Sequence, residues 1–170
     1  MFQGHCELDE TMSLYFQVAT SSGVAVNADS LPTWRVYGPD GALTAATGSA
    51  SFGDSGSVTA ASNASPIVIT STAHGLSTGS RVTVSGVGGN TAANGTFTIT
   101  RVSADTFSLD SSTGNGSYTS GGTWNVTGLY KVTVDCTEAN GFEEGVNYQI
   151  LLTGAVSSAV FGQLSSWGVG

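Results

Sequence analysis

From Thr11 to Thr20 the chain alternates, with Leu14, Phe16 and Val18 on one parity and Ser13, Tyr15 and Gln17 on the other. Period-two alternation marks a strand with one buried face. The same pattern recurs over Thr33–Tyr37, where Trp34 and Val36 flank Arg35. It returns over Leu129–Cys136, where Tyr130, Val132, Val134 and Cys136 alternate with Lys131, Thr133 and Asp135. Pro39-Asp40-Gly41 predicts a tight turn, because Pro presets φ, Asp caps and Gly accepts positive φ. A returning strand is expected over Ala42–Ala46, and Ser49–Phe52 continues the sheet after a Gly break. Val146–Val156 is apolar on both parities, which predicts a central strand. A last strand is expected over Ala159–Leu164, after which the chain runs out through Ser165, Ser166 and Trp167. The most helix-like stretch, Thr137–Glu144, is broken by the turn signal Asn140-Gly141.

The segment from about Ser57 to Asn125 has a different texture, dense in Gly, Thr, Ser and Asn. Its predicted strands are short: Ile67–Thr70, Arg81–Ser85, Gly95–Val102, Thr106–Asp110 and Thr123–Val126. Ser103-Ala104-Asp105 joins two of them as a tight hairpin. Short strands at this spacing suggest a small barrel or sandwich. Neither flank has enough strands to bury a core alone, so residues 1–56 and 126–170 are read as one discontinuous docking domain. Residues 57–125 are read as a small β-barrel inserted between its strands and projecting from it.

Composition sharpens this picture. The 170 residues suit one ordinary domain or two small ones, and 39% hydrophobic content allows a packed core. Only 9% of residues are charged, which argues against disorder. The net charge is −8, and the fixed cations Arg35, Arg81, Arg101 and Lys131 are scattered. Such a chain is repelled by phosphate backbones, so no nucleic-acid partner is expected. No apolar run reaches transmembrane length, and the start MFQGHCELDE carries no leader pattern, so no membrane partner is expected. Cys6 and Cys136 could form one disulfide, but the expectation is two reduced, buried thiols.

Several turn motifs occur in a specific order. Ile67-Val68-Ile69-Thr70 is followed by Ala73-His74-Gly75-Leu76, Thr78-Gly79-Ser80-Arg81-Val82 and Val84-Ser85-Gly86-Val87-Gly88-Gly89. Asn94-Gly95-Thr96-Phe97, Thr106-Phe107-Ser108-Leu109 and Gly121-Gly122-Thr123 complete the series. These motifs resemble a domain recurrent in phage structural proteins, named after the first catalytic-cysteine half-domain of ubiquitin-activating enzymes. The resemblance covers about seventy residues and implies a small β-barrel. It does not imply ubiquitin chemistry, because the segment holds no cysteine. The flanks, with their aromatic-Arg strand and Pro-Asp-Gly hairpin, are similar to tailed-phage virion β-sandwich proteins. The fold expected is therefore all-β, an immunoglobulin-like β-sandwich carrying an inserted β-barrel.

Candidate chemistry is sparse. Gly53-Asp54-Ser55-Gly56 matches the core of the trypsin-like protease motif, with Ser55 as nucleophile and Gly53 as oxyanion donor. A triad also needs a placed base, and in that family the His precedes the Ser, whereas His74 follows it. His74 is expected instead to order its turn by a ring–backbone hydrogen bond. His5, Cys6 and Cys136 lack the close ligand pairs of a zinc site. Glu7, Asp9, Glu10, Glu143 and Glu144 lack a calcium-loop spacing. Gly86–Gly89 lacks the Lys-Ser/Thr of a phosphate loop. Asn63, Asn94, Asn115 and Asn125 start N-x-Ser/Thr triplets but read as turns. Of Trp34, Trp124 and Trp167, the last is the candidate docking aromatic, together with Leu164 and Val169. No catalytic residue, cofactor or metal is expected.

The resemblance implies a structural virion protein, foremost a capsid decoration (cement) protein on the outer head surface, assembled in the host cytoplasm. Its expected partners are the major capsid protein or another virion protein, with many copies or a homo-oligomer. The alternatives are a tail, neck or fibre adaptor facing a receptor and, less favoured, a bacterial adhesin or carbohydrate-binding module.

Overall fold

A computed structural model describes residues 3–170, with side chains from Cys6 onward. The described residues form fifteen strands and two single 3₁₀ turns, with no α-helix. In chain order the strands are β1 Gln3–Cys6, β2 Glu10–Gln17, β3 Thr33–Tyr37, β4 Leu43–Ser49, β5 Ser51–Phe52, β6 Ser55–Ser57, β7 Ala60–Ala61 and β8 Ile67–Thr70. They continue with β9 Arg81–Ser85, β10 Gly95–Arg101, β11 Thr106–Leu109, β12 Thr123–Val126, β13 Leu129–Cys136, β14 Asn147–Val156 and β15 Ala159–Val169. The helix-like stretch after β13 makes only the 3₁₀ turn Glu138–Asn140, ended by Gly141 at φ 84. Two compact units result: residues 1–51 with 128–170, and residues 52–127.

The first unit is a β-sandwich. One sheet has the order β1-β15-β14-β3-β4 and the other β2-β13-β5. β14, the strand apolar on both parities, lies in the middle of its sheet. The alternation read from β2 and β13 is realised: Met12, Leu14 and Phe16 point into the core with Tyr130, Val132, Val134 and Cys136. The facing sheet contributes Trp34, Val36, Tyr148, Ile150, Leu152, Trp167 and Val169.

Two expectations about this unit are corrected. Cys6 and Cys136 are not separate thiols but a disulfide, joining β1 of one sheet to β13 of the other. Their Cα atoms come within 6.7 Å although 130 positions separate them in sequence. That proximity exists because β1 pairs in parallel with β15, Gln3 opposite Ser166 and Cys6 opposite Val169. The second correction concerns the tail. β15 does not stop at Leu164 but runs to Val169. Its inward positions near the junction are Gln163 and Ser165, and these polar residues hide the alternation that Trp167 and Val169 resume.

The second unit is a seven-stranded antiparallel sheet in the order β6-β12-β9-β10-β11-β8-β7. Its two outermost strands, β6 and β7, are consecutive in the chain and separated only by Val58 and Thr59. The linking residues pair at both ends, Val58 N–H donating to Gly122 O at 2.9 Å and Thr59 N–H to Thr70 O at 2.9 Å. One continuous segment therefore bridges the two edges, and the sheet curls into a barrel. Closure of this kind removes exposed edges. The barrel fills with Ile67, Ile69, Val82, Val84, Ile99, Phe107, Leu109 and Trp124. Ser55 and Gly56, assigned from sequence to the docking domain, belong here within β6 because that strand pairs with β12.

Candidate functional site

Ser55 and His74, the two residues with nucleophile and base chemistry, line one cleft of the barrel unit. The cleft measures about 300 Å³ and is walled by Ser57, Thr59, Ser71 and Trp124 as well. Ser55 arrives on β6, opposite Asn125 of β12. His74 arrives on the turn after β8, where Ala73 at φ 49 and Gly75 at φ 68 bend the chain sharply. That turn is tied to the β10–β11 hairpin. Ser71 N–H donates to Asp105 O at 2.9 Å, His74 N–H to Ala104 O at 3.2 Å, and Ala73 N–H to the Asp105 Oδ1 at 2.7 Å.

The His74 ring is consumed by the same job. Its Nδ1 accepts the Leu76 N–H at 3.1 Å, so the ring proton sits on Nε2. Nε2 then donates toward Ser103 O at 3.1 Å and Thr106 O at 3.3 Å. The ring is buried and meets Phe107 edge-on at 5.1 Å between centroids. In this arrangement neither nitrogen has a lone pair free for the Ser55 hydroxyl. The ring–backbone hydrogen bonds expected for this turn are present.

The other candidates resolve similarly. Trp124 is buried, and its Nε1 donates to Ser71 Oγ at 2.8 Å, so it offers no face for stacking a sugar. Trp34 is buried in the sandwich. Gly88 and Gly89 bring the Gly-rich loop against residues 117–120, with Gly88 N–H donating to Ser120 O at 2.8 Å. Asn94 grips Val87 from both sides, accepting its N–H at 2.8 Å and donating to its carbonyl at 2.9 Å. Asn115 accepts the Ala92 N–H at 3.0 Å, and Asn125 is buried. Cys6 and Cys136 have no free thiolate for zinc, and the His5 side chain lies outside the described residues. Among the described residues no group of three or more His, Cys, Asp or Glu is placed to hold a metal ion. Also among them, no helix is long and apolar enough to cross a membrane.

The docking residues separate. Leu164 is 69% exposed, but Trp167 and Val169 are each 2% exposed inside the sandwich core. Trp167 packs with Phe142 and Tyr148, ring centroids 6.0 and 6.3 Å away. The apolar tail is thus covered by its own fold, and neither residue is available as a surface anchor. Val160, 80% exposed, is the most exposed of several large apolar surface residues that the reading of the sequence did not single out; it lies in the uncharged run from Gly145 to Gly170.

Residues 64–127 match the family model described as the ubiquitin-activating enzyme E1 FCCH domain. The matched stretch lies wholly within the barrel unit. It holds no cysteine, so similarity to that domain brings no thioester chemistry with it. No curated protein matches the chain.

Proposed function

We propose that the chain is a non-catalytic structural component of a tailed-phage particle, a decoration-type protein that docks through its sandwich and carries the barrel as an insertion. One observation carries the non-catalytic part. In the cleft that Ser55 and His74 both line, both nitrogens of the His74 ring are spent on backbone groups. The motif series of the barrel and the strand–hairpin pattern of the flanks, both similar to virion proteins, support the assignment to a particle. A net charge of −8 with few charged side chains suits a soluble protein present in many copies. Binding repeated around a symmetric lattice then multiplies a modest interface into a large one.

The test is to purify particles of the phage that encodes the chain, quantify it by mass spectrometry and image the particles by cryo-electron microscopy. The expected result is a copy number of the order of the major capsid protein's, with matching density outside the shell. A handful of copies at the neck or tail would replace the decoration role with an adaptor role. Absence from purified particles would overturn the proposal.

A further inference from the structure

Among the described residues, the outer edge of β15 is open along its first part. β14 pairs with Ala159–Gly168 on one side, whereas β1 pairs on the other side only with Ser166–Val169. Among the described residues, no strand lies beside Ala159–Ser165. A strand edge of this kind presents unpaired N–H and C=O groups, and proteins normally protect it with Lys, Pro, a bulge or a covering loop. The stretch itself carries no Lys, Pro or bulge: it reads Ala-Val-Phe-Gly-Gln-Leu-Ser and pairs with β14 without a register shift. Val160 and Leu164, on the same parity, are 80% and 69% exposed.

We infer that this edge pairs antiparallel with the same edge of a second copy, about a two-fold axis at Gly162. Two features of the chain choose this occupant. The first is charge. The protein carries −8, so two copies repel over most of their surfaces, yet Gly145–Gly170 contains no charged residue. Copies can approach along β15 without confronting like charges. The second is symmetry of the side chains. Antiparallel pairing about Gly162 sets Val160 opposite Leu164 of the other copy, and Leu164 opposite its Val160. Both apolar contacts form at once, as an isologous interface requires. Gly162 suits the axis because it places no side chain where the two strands cross, and Leu151 lies beside it on the same face. The main-chain hydrogen bonds supply the pairing and Val160 and Leu164 set the register. This inference stands whether or not the protein belongs to a phage particle.

The experiment is sedimentation equilibrium on the full chain over a wide concentration range, with two double variants. Wild type is expected to dimerise reversibly. V160K/L164K sets lysine against lysine at both contacts and should raise the dimer dissociation constant at least about tenfold. V160K/L164E sets opposite charges against each other only in the proposed register, and should recover most of that loss. Both positions are largely in solvent, so the melting temperature of the monomer should hardly move. Hydrogen exchange on wild type needs no variant: amides in Ala159–Ser165 should gain protection as concentration rises. A wild type that stays monomeric, undiminished association of V160K/L164K, equal behaviour of the two double variants, or no concentration-dependent protection of this edge would each overturn the inference.

Discussion

Gly56 of β6 lies directly opposite Trp124 of β12, and a Cβ built on it would stand 2.9 Å from three atoms of the indole. The glycine inside the protease-like tetrapeptide is therefore a seat for a tryptophan. The sandwich repeats the device with Gly48 opposite Trp34, where a Cβ would stand 3.0 Å from the ring. In each case the aromatic covers the bare backbone of a cross-strand glycine.

Gly56→Val should consequently damage the barrel. Overpacking a filled site costs about 1–3 kcal/mol, here more than any gain in strand propensity. Urea denaturation followed by the fluorescence of Trp124 in a background of Trp34→Phe and Trp167→Phe reads this directly. Unchanged stability would mean that the ring has room to move.

His74→Ala should lower stability without touching any activity. It strips the Leu76 N–H and the carbonyls of Ser103 and Thr106 of their ring partner in a buried turn. Leaving buried polar groups unpaired costs about 1–3 kcal/mol. Chemical denaturation measures the loss. Wild-type stability of the variant would show that the turn is held by its backbone hydrogen bonds alone.

Trp167→Ala should destabilise the sandwich by about 3–5 kcal/mol, the usual loss for emptying a buried aromatic site. Trp167→Phe should be far milder, because the Nε1 of Trp167 is buried with no hydrogen-bond partner among the described residues. Removing an unsatisfied donor offsets part of the lost volume. Calorimetry on both variants separates this core role from a docking role, in which stability would stay constant while association weakened.

Tyr130 should contribute to the loss of stability at alkaline pH. Burial raises its phenol pKa above the ordinary value, opposed by the hydrogen bond its oxygen accepts from the Ala28 N–H at 2.8 Å. The folded chain thus holds this proton more tightly than the unfolded chain. The stability it contributes is complete below about pH 10, the ordinary phenol value, and is lost as pH rises through the raised folded value. Tyr130→Phe should flatten that alkaline decline. At neutral pH it should cost about 1 kcal/mol for the acceptor lost to Ala28. Melting temperatures from pH 7 to 11 test both statements.

Local alternation was enough to place most strands: Leu14 and Phe16 on β2, Trp34 and Val36 on β3, and Tyr130 to Cys136 on β13 bury the residues their parity selects. This works because a half-buried strand writes its burial into every second residue. The turn role of His74 was equally legible, since its partners at Leu76 and on the 103–106 hairpin are held by nearby motifs. The Cys6–Cys136 bond, the burial of Trp167, the joining of β6 and β7 across the barrel seam and the open edge of β15 were decided only by the tertiary structure. Each depends on which strands become neighbours. The parity of a strand records whether a side chain faces a core, but it carries no information about which distant segment supplies the other wall.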